Sequence, residues 1–164
     1  MSSELEAKRI DKIVAYFRKV NEVDAGDPDL LEFFTDDVQF YFPKYGTTRG
    51  KDAVVTFDER IGRELKSVRQ DIDGFNYIAA GDHVVVEGTE SGVTWSGISW
   101  PDGTISQGRF CSVFEFDGLL IRRLHIYVDP DFTNADLDRL RIYRGEEVSG
   151  RAWRTVAGDG RVLR

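Results

Sequence analysis

The sequence predicts an α+β fold, with helices packed on one face of a curved, mainly antiparallel β-sheet. Three observations carry that prediction. Apolar residues recur at helical spacing through the first sixty-five or so positions, the period then changes to alternation for about sixty residues, and the alternating runs are joined by short links. Strands so connected must run antiparallel.

The elements follow in order. From Ser3 to about Asn21, Ile10, Ile13, Val14, Phe17 and Val20 form one stripe, with Lys8, Asp11, Lys12, Arg18 and Lys19 between them, as in an amphipathic helix. Asp27 and Pro28 supply a capping oxygen and a pre-set φ for a short second helix ending near Thr35, with Leu30, Leu31, Phe33 and Phe34 on its apolar side. Val38 to Phe42 reads as a strand that Pro43 and Gly46 end. After Gly50, Val54, Phe57, Ile61 and Leu65 mark one face of a third helix. The alternating region divides into strands Val68 to Ile78, His83 to Trp95, Thr104 to Phe116 and Leu119 to Asp129. Gly81-Asp82, Pro101-Asp102-Gly103 and Asp117-Gly118 separate them. Asn134 caps a last short helix reaching Ile142, and the glycine-rich remainder from Gly145 reads as a loosely held tail. The expected division is a body of residues 1–132 and a C-terminal helix and tail of residues 133–164.

Composition narrows the function. The chain has 164 residues, 41% hydrophobic and 12% aromatic, enough for one core. Its formal charge of −7 repels nucleic acid and anionic lipid, so neither is an expected partner. The charged N-terminus is unlike a signal peptide, and the longest apolar run is the five residues Ile13 to Phe17, so no membrane span or export by that route is expected. A single cysteine, Cys111, excludes an internal disulfide and fits a cytoplasmic location. With two histidines besides, His83 and His125, no metal site or other cofactor is expected.

The last hairpin decides which side chains face inward, because a one-residue slip reverses every face. A two-residue turn at Asp117-Gly118 pairs Phe116 with Leu119 and puts His125 and Tyr127 on the face of Phe110 and Ser112. A three-residue loop Phe116-Asp117-Gly118 pairs Glu115 with Leu119 and groups Phe110, Ser112 and Phe114 with Leu124, Ile126 and Val128. The second separates apolar from polar residues cleanly and is preferred.

FFTDDVQFYFP before a helix opened by TTRGKDAV, followed by RFCSVFEFDGLLIRRLHIYVDPDF, resembles the SnoaL-like members of the nuclear transport factor 2-like (NTF2-like) superfamily over roughly residues 5 to 132. The resemblance implies an α+β cone enclosing an apolar pocket. It also brings several chemistries and noncatalytic binding proteins, so fold alone does not settle function. Ketosteroid isomerases use an Asp base with a Tyr and a protonated Asp as oxyanion hole. Here the Tyr is matched by Tyr16, but the base position falls on Phe42 and the acid on Ser112. Against the epoxide hydrolases, Glu90 matches the first Asp, while Gly88, Ile126, Phe40 and Phe42 stand at the other four positions. Scytalone dehydratases need two pocket histidines, and His83 at a hairpin tip is badly placed for one.

What remains is an apolar pocket lined by Phe40, Phe42, Trp95, Phe110, Ser112, Leu124, Ile126 and Val128, with Tyr16 and Glu90 as catalytic candidates. A carboxyl group at Glu90 would have its pKa raised by desolvation and suit acid/base work near neutrality; a register off by one would instead put Glu90 in water and Glu87 inside or at the rim. Tyr16 could donate to an oxyanion or be a core tyrosine. Trp95 and Trp100 flank a bend at Gly97, either capping the pocket mouth or packing. His125 falls on the outer face, at a subunit interface. The expected function is a small cofactor-independent enzyme that isomerises, dehydrates or cyclises a hydrophobic small molecule as a homodimer. The alternatives are a carrier of an apolar metabolite and a dimerising interaction module.

Overall fold

The computed structural model describes residues 2–23, 27–43, 45–101 and 107–129. The turn at Asp102-Gly103, the start of the third predicted strand at Thr104, and the predicted helix and tail of residues 133–164 lie outside the described residues.

Helix α1 (Ser2–Glu22) buries Ile13, Tyr16 and Phe17 almost completely, so Tyr16 belongs to the apolar stripe rather than lying beside it. Asp27 caps the next segment by accepting the Asp29 N–H at 2.8 Å. That segment is one 3₁₀ stretch, Pro28–Phe33, and not a helix to Thr35. Phe34 and Thr35 begin strand β1 (Phe34–Phe42), because Phe34, Val38, Phe40 and Phe42 share one parity and one buried face. Strand β2 (Gly46–Arg49) pairs antiparallel with β1; its four residues are all exposed, so no alternation marked it in the sequence. Helix α2 (Lys51–Glu64) follows, and Leu65 opens β3 (Leu65–Gln70) instead of closing the helix.

The predicted strand Val68 to Ile78 is two strands. Residues Ile72–Gly74 form a 3₁₀ turn, after which β4 (Asn76–Ala80) starts. The reason lies in the next strand, β5 (His83–Thr94), whose first half pairs with β4 and whose second half pairs with β3. Gly88 stands near the changeover. A Cβ there would lie 2.6 Å from the Phe75 ring, so the missing side chain lets Phe75 close over the strand. Strand β6 (Ser99–Trp100) adds a two-residue pairing to β5 that the sequence reading missed.

Strands β7 (Arg109–Asp117) and β8 (Leu120–Val128) complete an eight-stranded sheet ordered β2-β1-β8-β7-β5-β3, with β4 and β6 also paired to β5. All pairings are antiparallel except β1 with β8. The last hairpin departs from both expected turns. Asp117 pairs with Leu120, and Arg122 is an extra residue between Phe116↔Ile121 and Glu115↔Arg123. That bulge restores the parity the three-residue loop required. Phe110, Ser112 and Phe114 therefore do face inward with Val128, Ile126 and Leu124, their Cα partners.

Arg9 fixes the first helix to this sheet. Only 7% exposed, it donates to the carbonyls of Gly81 and Gly118 at two hairpin turns and lies 5.7 Å from the Phe116 ring centre.

Candidate functional site

Between α1, α2 and the concave face of the sheet lies a cavity of about 100 Å³. Phe40, Phe42, Phe110, Ser112, Leu124, Ile126 and Val128 line it. Phe57 of α2 stacks 4.5 Å from Phe40 and 4.9 Å from Phe42, and Phe17 lies 5.7 Å from Phe110. These ring contacts form two aromatic clusters in its lining.

Trp95 is placed elsewhere. Its side chain is 64% exposed and its indole N–H donates to the Gly62 carbonyl at 2.9 Å. Trp100 is buried, its ring lying where a Cβ on Gly92 would be. Both tryptophans pack against the body rather than capping the cavity.

Glu90 lies on the inward parity of β5 shared by Val84 and Val86, and lines the cavity. Glu87 is exposed and accepts from the Asn76 amide at 3.0 Å, so the register is the one that puts Glu90 inside. Burial pushes the Glu90 carboxyl from 4.5 to about 7; a hydrogen bond from the Gln70 amide works against that rise and the charge of Asp129 adds to it. Its backbone is held from two sides. The Glu90 N–H donates to the Gly108 carbonyl at 2.7 Å, and its Cα partner across the sheet is Gln70. Gly108 has φ +68°, and a Cβ there would fall 2.2 Å from the Glu90 carbonyl oxygen, so this position requires glycine.

Tyr16 lines the same cavity from α1. Burial raises its pKa strongly, and the charge of Asp58 raises it further, so the phenol stays protonated and able to donate. Asp58, on α2, also lines the cavity, and the sequence reading passed over it. Its signal was present: position 58 is four after Val54 and three before Ile61, on the apolar face of the helix.

The remaining candidates fall outside the cavity. His125 sits on the outer face of the sheet opposite Val113 and Tyr41, its ring 5.5 Å from Tyr41. Its Nε2 is buried with no partner, and burial and the Arg123 charge lower its pKa. His83 is engaged with Asp82 at 2.6 Å and Arg123 at 3.1 Å. Asp129 accepts the backbone N–H groups of Gln107 and Arg109 at 2.9 and 3.0 Å. Cys111 is partly buried opposite Tyr127 on the outer face. Among the described residues no cluster of three His, Cys, Asp or Glu forms a metal-binding group. No helix among them is long and apolar enough to cross a membrane.

The fold is a helix-backed curved sheet closed around a small apolar chamber, with a carboxyl and a phenol in its wall. The SnoaL-like domain family matches residues 6–124, and the chain belongs to that family. Its fold is the NTF2-like α+β cone. An NTF2-like protein of unknown function from Burkholderia pseudomallei superposes with a TM-score of 0.63 at 20% identity, over 81% of this chain and 96% of that one. TerC, crystallised with polyporic acid, gives 0.61 at 21% identity over 74% and 92%. A candidate polyketide cyclase from Xanthomonas campestris gives 0.60 at 20% identity over 75% and 91%. No curated protein shows significant sequence similarity to the chain.

Proposed function

We propose that the protein is a cofactor-independent enzyme that moves a proton on a hydrophobic small molecule, in an isomerisation, dehydration or cyclisation. One observation carries this reading: a carboxyl group in an aromatic cavity, with its pKa raised by burial to about 7. Such a group is part ionised and part protonated at neutral pH, so it can take a proton in one step and return it in the next. In this reading Glu90 is the proton carrier, and Tyr16, kept protonated, donates to the oxygen on which negative charge develops. Asp58 biases Tyr16 toward its neutral form. A base position filled by Phe42 and an acid position filled by Ser112 argue against the ketosteroid isomerase arrangement. In this reading the reaction runs through Glu90 on β5 instead.

The test is direct. Carboxyl-carbon NMR of Glu90, with and without a hydrophobic ligand found by thermal-shift screening, should show a midpoint near 7 that moves on binding. A midpoint near 4.3 that ignores every ligand would transfer the protein to the carrier reading. That second reading is favoured by the chamber's phenylalanine walls, which would hold an apolar group with no chemistry at all.

The proposal includes a cytosolic homodimer. The outer face of the sheet presents Tyr41, Val113, His125 and Tyr127 together, and Tyr127 is 46% exposed, an apolar patch suited to a second copy. The lone cysteine fits a reducing compartment.

A further inference from the structure

A second hollow, of about 400 Å³, opens at the edge of the sheet between α2 and the β1–β2 hairpin. Phe40, Phe42 and Phe57 line it as well as the chamber, so the same three rings form part of both walls. Small residues create the space. Gly46 stands opposite Phe42 and Thr48 opposite Phe40 in the hairpin, while α2 presents Ala53 and Thr56 on the flank that Phe57 and Arg60 continue at helical spacing. None of these small side chains spans the gap between helix and hairpin. What is left has the size of an ordinary small-ligand site, which runs from about 300 to 1,000 Å³.

The charge of the hollow is opposite to that of the chain. Among the described residues that line it, Arg49 and Arg60 face a single acid, Asp52, which leaves a net charge of +1 on a chain whose formal charge is −7. Neither guanidinium is in an ion pair with a described residue. Arg60 is placed instead by Tyr45. It lies 4.4 Å from the centre of that ring, and the Tyr45 hydroxyl donates to Glu64 at 3.0 Å, which holds the ring in place. Tyr45 in turn lies 5.4 Å from Phe42 and 6.1 Å from Phe57. An aromatic floor thus meets two exposed guanidiniums, and the guanidinium fork matches a carboxylate. One negative charge balances this lining, whereas a dianion would leave an excess beside Asp52.

We propose that the hollow is a second ligand site, separate from the chamber, for a small organic monocarboxylate: its flat apolar body lies against Phe42, Tyr45 and Phe57, and Arg49 and Arg60 hold its carboxylate. Neither Tyr16 nor Glu90 lines it, so the site stands whether or not the chamber is catalytic.

Three probes of one ring system test it by titration calorimetry or ligand-observed NMR: 2-naphthoate, 2-naphthylmethanol and 2-naphthyl phosphate. At 50 mM salt the naphthoate should bind wild type about tenfold more tightly than the alcohol, the worth of two exposed ion pairs, and the gap should narrow at 500 mM. Arg49→Gln and Arg60→Gln should each weaken naphthoate about threefold and leave the alcohol unchanged. Thr56→Trp, which fills the hollow from an exposed position on α2, should abolish naphthoate binding while the circular dichroism spectrum and the Glu90 titration stay as in wild type. Equal binding of naphthoate and alcohol to wild type, or no naphthoate binding at millimolar concentration, overturns the proposal. So does naphthoate binding that survives Thr56→Trp, which would put the ligand in the chamber or elsewhere. A phosphate that binds more tightly than the naphthoate overturns the assignment to a monoanion.

Discussion

Replacing Glu90 with Gln should make the protein more stable, by an amount set by pH. In the folded chain the carboxyl holds its proton up to about 7, whereas in the unfolded chain it releases it at about 4.5. Below 4.5 both states are protonated and the group contributes no difference. Between 4.5 and 7 the folded state binds one proton more than the unfolded state, so stability falls as pH rises, by about 1.4 kcal/mol per pH unit. Above 7 both states are ionised and the loss is complete, at about 3 kcal/mol over that interval. Gln keeps the shape and the polar contact to Gln70 and carries no proton to lose. Urea denaturation of wild type and Glu90→Gln at pH 4.5, 6 and 8.5 should therefore give curves that nearly coincide at the lowest pH and separate by about 3 kcal/mol at the highest. For a chain of this length that is a melting-temperature gap of about 6 to 12 °C. If Glu90 is an acid/base group, the stabilised variant is also the inactive one, with turnover down about 10²-fold once a substrate is known. Stability curves that run parallel across the whole pH range would show that the carboxyl is in water, and the reasoning from burial would fail.

Four further outcomes are expected. Arg9→Ala should cost about 3 kcal/mol in urea denaturation, because two buried charged hydrogen bonds to Gly81 and Gly118 are lost together; a cost under about 1 kcal/mol would mean that solvent replaces them. Gly108→Ala should cost about 2 kcal/mol or more and shift the Glu90 titration, since the new methyl meets the Glu90 carbonyl; an unchanged titration would separate the loop from the site. Alkaline absorbance titration should show one tyrosine ionising far later than the rest, absent in Tyr16→Phe, with stability falling as pH rises past the ordinary phenol value of 10. Tyr127→Glu should convert a dimer to a monomer in light scattering, and a wild type already monomeric at micromolar concentration would defeat the proposed interface.

The parts of the fold that were legible in the sequence are those where burial imposes a period. The stripe of α1, the face of α2 and the alternation of β5, β7 and β8 each repeat because one side of the element is in the core. Where no face is buried the period vanishes. Strand β2 is exposed along its whole length, and β6, though it buries Trp100, is too short at two residues to show a period. The break between β3 and β4 was hidden for a different reason. Alternation continues on both sides of Ile72–Gly74, and what forces the turn is the bend of β5, a partner that comes later in the chain.

The site divides along the same line. Phe40, Phe42, Phe110 and Glu90 were legible because parity along a strand reports facing directly, and the wrong turn in the last hairpin did no harm because the bulge at Arg122 preserved that parity. Trp95 was misplaced because it lies beyond the end of β5, where parity no longer informs and a hydrogen bond to α2 decides. Asp58 and Gln70 share one lesson. Each is a polar residue in an inward position, and apolar periodicity does not mark such residues. A folded chain keeps buried polar atoms only when they are paired or held in place by the packing around them. The inward polar positions are thus where a pocket's chemistry should be sought first: among the described residues, Tyr16, Asp58, Gln70, Glu90 and Ser112 reach this chamber from five separate elements, α1, α2, β3, β5 and β7. Within that set Glu90 is the carboxyl that burial raises to about 7, which makes it the residue on which the proposed chemistry rests.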